Sequence, residues 1–129
     1  MSDKFTVEII TPEKSILKSE TSEVIIPSYE GLMGILKDHI PLITFLRPGV
    51  ILLQSQEEKK YFVEEGTVEF SNNNLLILTS TARDLKDLNR NSIEDLLNQA
   101  EKKLKNDSSS DKEKYLLSHQ ISTLKEIKQ

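Results

Sequence analysis

The chain has no cysteine among its 129 residues, which excludes a disulfide framework, a thiolate metal site and a cysteine nucleophile. An intracellular reducing compartment is compatible with this composition. Glycine and aromatic residues are also scarce, with four glycines, three tyrosines, four phenylalanines and no tryptophan. So few glycines build neither a phosphate-binding loop nor a dinucleotide fingerprint, and neither motif occurs. So few aromatic residues provide no stacking platform for single-stranded nucleic acid.

Long apolar runs are missing as well, since none approaches the ~18 residues of a membrane-spanning helix. The first residues, 1–5, have neither a signal-peptide core nor the arginine-rich character of a transit peptide. The net charge of −4 argues against a general nucleic-acid surface. We therefore expect no nucleic-acid partner, and membrane association only through a partner protein.

The first two thirds of the chain have the pattern of short β-strands. Phe5, Val7 and Ile9 alternate with Thr6 and Glu8, which is the period of a half-buried strand. Further short apolar runs follow to about residue 80, separated by turn signals, and together they predict roughly eight to ten strands. Asparagines at 72–74 suit the turn of a hairpin over residues 67–79. Because four prolines would interrupt any long helix there, residues 1–86 are predicted to form a mainly β, antiparallel β-sandwich domain.

The last third changes to helical periodicity and predicts an antiparallel helical hairpin domain over residues 87–129. Asn91 with Glu94, and Ser110 with Glu113, have the spacing of two capping boxes. Apolar residues then form one stripe on each helix: Ile93, Leu96, Leu97, Ala100 and Leu104 on the first, and Leu116, Leu117, Ile121, Leu124 and Ile127 on the second. Two polar residues, Gln120 and Lys128, interrupt the second stripe. They indicate either a partly wet, reversible contact with the sandwich or a terminal helix that simply frays.

No catalytic constellation accompanies the two histidines. Asp38 and His39 are adjacent on extended chain and so point to opposite faces, which favours a structural or interface role for His39. His119 lies roughly opposite the second apolar stripe and is predicted to be solvated. Glu64 and Glu65 are interpreted as a solvated strand edge that discourages aggregation. We therefore expect a protein that binds or couples, without enzymatic activity, cofactor or metal.

One segment is specific enough to suggest a family. Residues 31–49 have the spacing G-x-x-G-x-L-x-x-H-x-P-L-x-x-x-L-x-P-G, which resembles the signature of the epsilon subunit of F-type rotary ATP synthase. Residues 11–14, Thr-Pro-Glu-Lys, resemble the early S/T-P-E turn of that family, and residues 61–66 resemble its V-x-G-G segment. Glu65 departs from the family, which usually has the first of two glycines at that position. The resemblance extends over essentially the whole chain.

The resemblance implies a non-catalytic rotor subunit in the central stalk of a proton-translocating ATP synthase. The gamma subunit and the membrane c-ring are the implied partners, and the cytoplasmic face of the bacterial inner membrane is the implied location. The family makes the c-ring contact through a turn, which corresponds here to six residues: Tyr29, Glu30, Gly31, Leu32, Met33 and Gly34. Together with His39 these are the predicted partner-binding residues. Two glycines that frame Leu32 and Met33 would present them as a small exposed apolar tip.

The helical hairpin of the family either folds on the sandwich or extends along gamma toward the alpha and beta subunits, where it hinders ATP hydrolysis. Some members bind ATP through an I/L-D-x-x-R-A segment, which aligns here with residues 88–93. Asn89 replaces its acidic residue and Ser92 its arginine, so the charged recognition pair is missing and ATP binding is not expected. The alternative from a different class is a free-standing sandwich adaptor or ligand-binding module that self-associates through its helical hairpin.

Overall fold

The computed structural model describes residues 3–106 and 108–128. Ten strands, a short 3₁₀ turn and two helices follow one another along the chain, which confirms the predicted fold class. The strands are β1 Phe5–Ile10, β2 Ser15–Thr21, β3 Glu23–Ser28, β4 Gly31–Leu36, β5 Leu42–Leu46, β6 Gly49–Gln54, β7 Lys59–Val63, β8 Gly66–Ser71, β9 Asn74–Thr79 and β10 Ala82–Asp84. After the 3₁₀ turn Leu85–Asp87, the helices are α1 Arg90–Leu104 and α2 Asp111–Lys128.

The strands form one hydrogen-bonded sheet that folds over itself, in the order β10-β7-β6-β3-β5-β8-β9-β1-β2, with β4 paired to β3. β3 connects the two halves because its first residues pair with β6, whereas Ser28 at its end pairs with Leu46 of β5. The pairs between described strands are antiparallel except one: β1 runs parallel to β9, with Val7 opposite Leu75. The predicted antiparallel sandwich therefore contains one parallel pair.

Alternation along the strands produces the main core of the sandwich. In β1, Phe5, Val7 and Ile9 are buried, as the sequence predicted, while the residues between them are partly exposed. Phe5 meets Phe70 of β8 edge to face, with ring centroids 5.5 Å apart. The buried side chains of the other strands complete this core: Val24, Ile26, Ile35, Leu46, Ile51, Leu53, Tyr61, Val63, Val68, Leu75 and Ile77.

The β8–β9 hairpin turns where the sequence predicted it. Asn72 and Asn73 have positive φ angles of 50° and 58°, a conformation that asparagine tolerates better than most residues. The side chain of Asn73 reaches across to the turn after β4: its Oδ1 accepts from the backbone N–H of Asp38 at 2.7 Å, and its Nδ2 donates to Asp38 Oδ1 at 3.0 Å. Asp38 has a φ of 66°. Two left-handed turns thus stabilise each other.

The helix caps confirm one sequence prediction and correct another. Ser110 and Glu113 form the predicted capping box, since Glu113 N–H donates to Ser110 Oγ at 3.1 Å and Ser110 N–H to Glu113 Oε1 at 3.4 Å. The cap of α1 is Asn89, whose Oδ1 accepts from Ser92 N–H at 2.8 Å. The prediction of Asn91 was wrong, because Asn89 has the extended backbone of a cap and Asn91 already lies inside the helix.

The two helices pack against each other and against strands β6 and β7 of the sandwich. The predicted apolar stripes meet in a second core, which contains the buried side chains Ile93, Leu97, Ala100, Ile121 and Leu124. Phe62 of β7 is the fully buried sandwich side chain in this cluster. Lys128 Nζ lies 3.1 Å from Glu94 Oε1, so the end of α2 lies beside the start of α1 and the hairpin is antiparallel.

Candidate partner-binding surfaces

The turn between β3 and β4 contains two residues, Tyr29 and Glu30, and both are exposed. It is closed by Ser28, whose hydroxyl donates to the carbonyl of Gly31 at 2.7 Å. Gly31 has a φ of 121°, which an L-residue would adopt only with strain. The predicted partner-binding turn therefore exists, but it is shorter than the six residues assigned to it.

Met33 and Gly34 belong to strand β4 and not to the turn. Leu32 is 72% exposed and points outward, whereas Met33 is half-buried and packs against the main core. The prediction that both side chains form an exposed apolar tip was therefore wrong for Met33. The physical reason is the two-residue period of a strand, which sends neighbouring side chains to opposite faces. We call Tyr29, Glu30 and Leu32 the β3–β4 tip.

His39 lies at the other end of β4, where its backbone N–H donates to Leu36 at 3.1 Å. Its ring meets the edge of Phe70 with centroids 6.0 Å apart, and its Nδ1 lies 2.7 Å from the carbonyl oxygen of Ile40. The length of β4 separates His39 from the β3–β4 tip by roughly 16 Å. The structure therefore does not bring His39 together with the other predicted site residues.

Strand β5 presents an apolar surface that the sequence analysis missed. Ile43 is 76% exposed and Phe45 59%, and Ile40, just before the strand, is 74% exposed. We call these three residues the β5 face. The signal was in the sequence: residues 42–46, Leu-Ile-Thr-Phe-Leu, are apolar on both sides of the strand, which is typical of a strand covered on both faces. The described residues of this chain cover only one of those faces.

The C-terminal hairpin lies against the sandwich beside the tip. The ring of Tyr115 lies 5.6 Å from that of Tyr29, which in turn lies 6.4 Å from Phe45. One turn further along α2, His119 stacks edge to face on Tyr115 at 4.6 Å, and Arg47 Nη1 lies 3.3 Å from His119 Nδ1. A row of aromatic and cationic side chains therefore connects α2 to the β3–β4 tip and the β5 face.

The prediction that His119 is solvated was wrong. The side chain is half-buried, and this burial together with the neighbouring charge of Arg47 lowers the pKa of His119 below its ordinary value of 6.5. The stripe on α2 is wider than the spacing of its apolar residues suggests, because His119 and Gln120 also face the sandwich.

Glu64 is likewise not the solvated edge that the sequence suggested. Its Oε2 accepts a hydrogen bond from Thr81 Oγ1 at 2.6 Å, and its Oε1 accepts one from Gln120 Nε2 at 2.9 Å. Glu65, its neighbour, is exposed as predicted. The polar position of Gln120 in the α2 stripe is thus satisfied by a carboxylate of the sandwich.

A cleft of about 690 Å³ separates the start of α1 from β10 and the start of β2. Its walls include Lys14, Arg83 and Ser92 together with three acidic residues, Asp84, Asp87 and Asp95. Arg83 Nη1 is buried there without a hydrogen-bond partner. Asn89 and Ser92, which the sequence resemblance aligned with the charged pair of an ATP-binding segment, are joined to each other in the cap of α1.

Two absences hold for residues 3–106 and 108–128. No group of three histidine, aspartate or glutamate side chains there is arranged to hold a metal ion. No helix in these ranges is long and apolar enough to cross a membrane.

The fold defines a β-sandwich that carries a helical hairpin folded back on it, with exposed surfaces for partners. The family described as ATP synthase, Delta/Epsilon chain, beta-sandwich domain matches residues 4–84. The ATP synthase epsilon chain of Pelagibacter ubique is 49% identical over 129 residues, which cover 98% of this chain and 99% of that protein. The epsilon chain of Myxococcus xanthus is 35% identical over 109 residues, or 84% of this chain and 80% of that protein.

Two solved structures share the fold. One is a chain of the Euglena gracilis mitochondrial ATP synthase, from a structure of OSCP, F1 and c-ring. It has a TM-score of 0.78 at 18% identity, and the match covers 98% of this chain and 82% of the Euglena chain. A chain of the Tetrahymena thermophila mitochondrial ATP synthase central stalk and c-ring has a TM-score of 0.70 at 17% identity, with 96% of each chain covered. The chain belongs to the ATP synthase epsilon chain family, as its sequence predicted.

Proposed function

We propose that this chain is a non-catalytic rotor subunit of a proton-translocating F-type ATP synthase, where it joins the gamma subunit of the central stalk to the c-ring. The relatives that resemble it over most of its length are ATP synthase epsilon chains. Of the two structures that share its fold, one comes from an assembly of OSCP, F1 and c-ring, and the other from an assembly of central stalk and c-ring. This family membership also disfavours the free-standing adaptor, and the apolar stripes that self-association would use are packed against each other and Phe62.

The β5 face carries the proposal. Ile40, Ile43 and Phe45 are each more than half exposed, and a soluble monomer gains nothing from clustered apolar side chains in water. Burial of such side chains against a partner contributes about 25 cal/mol for each Å² removed from water. The β5 face has more exposed apolar side chains than the β3–β4 tip, and we assign it to gamma.

The β3–β4 tip is the proposed contact with the c-ring. It is a two-residue turn that projects Tyr29 and Glu30, with Leu32 exposed directly after it. The mixture of one carboxylate and two amphipathic or apolar side chains suits the polar loops of a membrane ring, where a wet rim surrounds a small apolar contact. His39 belongs to neither surface, and we assign it a structural role through the contact of its ring with Phe70.

The C-terminal hairpin modulates ATP hydrolysis in this proposal. In the docked position its apolar stripes are buried, so contact with the alpha and beta subunits requires its release from Phe62 and from the α2 contacts. As a subunit of an ATP synthase, the chain acts as part of a membrane-associated complex. We place it at the cytoplasmic face of the bacterial inner membrane, attached through its partners.

The gamma assignment is tested by co-purification from native membranes. The double variant Ile43→Glu, Phe45→Glu should no longer purify with alpha, beta and gamma, because two carboxylates would be desolvated in the interface. Leu36→Glu is the matched control: Leu36 is also an exposed apolar strand residue but lies outside the β5 face, and its variant should still purify with the complex. Normal recovery of the double variant, or equal loss of the control, would contradict the assignment.

The tip assignment is tested separately by proton pumping in membrane vesicles. Leu32→Glu should lower ATP-driven proton pumping relative to ATP hydrolysis, and should change the unfolding free energy by less than about 0.5 kcal/mol because the side chain is exposed. Met33→Glu should instead destabilise the isolated chain, since it places a charge against the main core. Unchanged coupling in Leu32→Glu would refute the tip contact.

A further inference from the structure

The contact between His119 and Arg47 depends on the charge state of the histidine. Arginine is a permanent cation and offers only donors, so Arg47 Nη1 donates to His119 Nδ1 across the observed 3.3 Å. An Nδ1 that accepts has a free lone pair, which the neutral ring has and the protonated ring lacks. A protonated His119 would face Arg47 with an N–H and a second positive charge.

The surroundings of His119 do not compensate such a charge. The groove beside it is lined by two sandwich cations, Arg47 and Lys60, and by one carboxylate of α2 itself, Glu126. The phenols of Tyr29 and Tyr115 complete the aromatic side. Glu64 is the sandwich carboxylate bonded to α2, and both of its oxygens are already used by Thr81 and Gln120.

We propose that His119 is a pH-sensitive docking contact, which holds α2 on the sandwich while its ring is neutral and releases α2 when the ring is protonated. The ligand of this site is the proton, and the responding element is the whole C-terminal hairpin. Membership of the family does not by itself predict that the docked position of the hairpin depends on pH. It concerns the isolated chain and so does not depend on which partners the chain has.

The sign follows from proton linkage. Burial first and Arg47 second lower the pKa of His119 in the docked chain, whereas a released, solvated His119 returns to its ordinary value of 6.5. The docked state therefore binds fewer protons than the released state. Docking is strongest above the pKa of the released histidine and weakens as the pH falls through it, by at most about tenfold for each unit between the two pKa values.

Release of α2 would also change the β3–β4 tip. The ring of Tyr115 contacts that of Tyr29 in the docked chain, and Tyr115 lies one helical turn before His119 on the same face of α2. Movement of α2 therefore removes Tyr115 from Tyr29 at the same time as His119 leaves Arg47. The surroundings of Tyr29 at the tip therefore change with the position of the hairpin, although the sheet itself does not change.

The test is a spin-label distance measurement on the full chain. Because the chain contains no cysteine, Glu20→Cys on the sandwich and Lys112→Cys on α2 give two specific labels at exposed positions. At about pH 8 we expect a single docked distance, and at about pH 5.5 a second, longer distance, with a lower ratio of docked to released chains. An unchanged distribution between the two conditions would overturn the proposal.

The two histidines provide a matched pair of variants. In His119→Gln the distance distribution should no longer depend on pH, whereas His39→Gln should retain the full dependence because His39 lies against Phe70 and not on the hairpin. The reverse result, or equal dependence in both variants, refutes the assignment to His119. The NMR titration of His119 in the unaltered chain decides the matter if a variant fails to fold: a pKa at or above 6.5 overturns the proposal, and a lower value that rises in Arg47→Gln supports it.

Discussion

Gln120 Nε2 donates to Glu64 Oε1 at 2.9 Å, and this hydrogen bond ties α2 to the turn after β7. The other carboxylate oxygen accepts from Thr81 at 2.6 Å, so the acceptor is held in place from the sandwich side. A hydrogen bond to a charged group contributes about 1.5–3 kcal/mol in partly buried positions. Gln120 therefore helps to fix the orientation of α2 on the sandwich, because a hydrogen bond is directional and an apolar contact is not.

Phe62 should be the side chain on which docking of the hairpin most depends. Phe62→Ala removes the fully buried ring shared by β7 and both helices, and we expect it to lower the unfolding free energy by about 3–5 kcal/mol. Phe45→Ala is the control, because Phe45 is exposed and its truncation should cost less than about 0.5 kcal/mol. Urea unfolding of both variants measures the difference, and equal losses would contradict the role of Phe62.

The sandwich should fold without the hairpin. A chain that ends at Lys86 keeps the whole main core, whereas residues 87–129 alone have helices too short to be stable in water. We expect a cooperative β-type transition for the first piece and mostly disordered chain for the second, measured by circular dichroism. A helical fragment that melts cooperatively would show that the hairpin is an independent domain.

Gly66 should not tolerate a side chain. A Cβ at this position would collide with the carbonyl of Leu78 and lie 2.8 Å from the Cα of Thr79, so Gly66→Ala should destabilise the sandwich by about 1–3 kcal/mol. At Gly34 the same change meets only Glu23 Oε2 at 3.5 Å, an ordinary contact, and should be neutral or slightly stabilising. Thermal melts of the two alanine variants compare them directly, and equal melting temperatures would refute the steric argument.

The isolated chain should not bind ATP at micromolar concentration. Asn89 and Ser92 are uncharged and are joined to each other as the cap of α1, which leaves no bidentate donor at these positions. Isothermal calorimetry with ATP should therefore give no binding heat. A micromolar dissociation constant would show that other groups of the nearby cleft, such as Lys14 or Arg83, replace the missing pair.

Deletion of the hairpin should activate ATP hydrolysis only modestly. Residues 91–129 contain seven lysines and seven acidic residues, so the hairpin has no net charge with which to engage an acidic loop. Exposed ion pairs contribute about 0–1 kcal/mol and are screened by salt, and we expect activation of about two- to threefold in reconstituted complexes. Activation of about tenfold would mean that shape, and not charge, determines the strength of inhibition.

Local patterns predicted the parts of the fold that depend on neighbours in sequence. Alternation in β1, the asparagine turn at Asn72 and Asn73, and the capping box at Ser110 are each decided within a few residues, and the structure has all three. The start of α1 was misplaced because Asn89 and Asn91 are both good caps. The choice between them depends on the preceding 3₁₀ turn, which has no strong sequence pattern.

The candidate surfaces were less predictable because they depend on contacts between distant segments. The exposure of Leu32 and the burial of Met33 follow from the pairing of β4 with β3, and a shift of one residue would exchange them. The half-buried state of His119 follows from the packing of α2 on the sandwich beside Arg47, which is 72 positions away in sequence. Neither relationship leaves a periodic signal in the chain.

The parallel pairing of β1 with β9 has a consequence for synthesis. Phe5, Val7 and Ile9 are made well before the strand that pairs with the edge of β1, because that strand, β9, ends at Thr79. A growing chain that has not reached β9 therefore leaves one backbone edge of β1 unpaired, which is a state prone to aggregation. Since such long-range pairing also slows folding, we expect the sandwich to acquire protease resistance late, in one step, when nascent chains extend beyond β9.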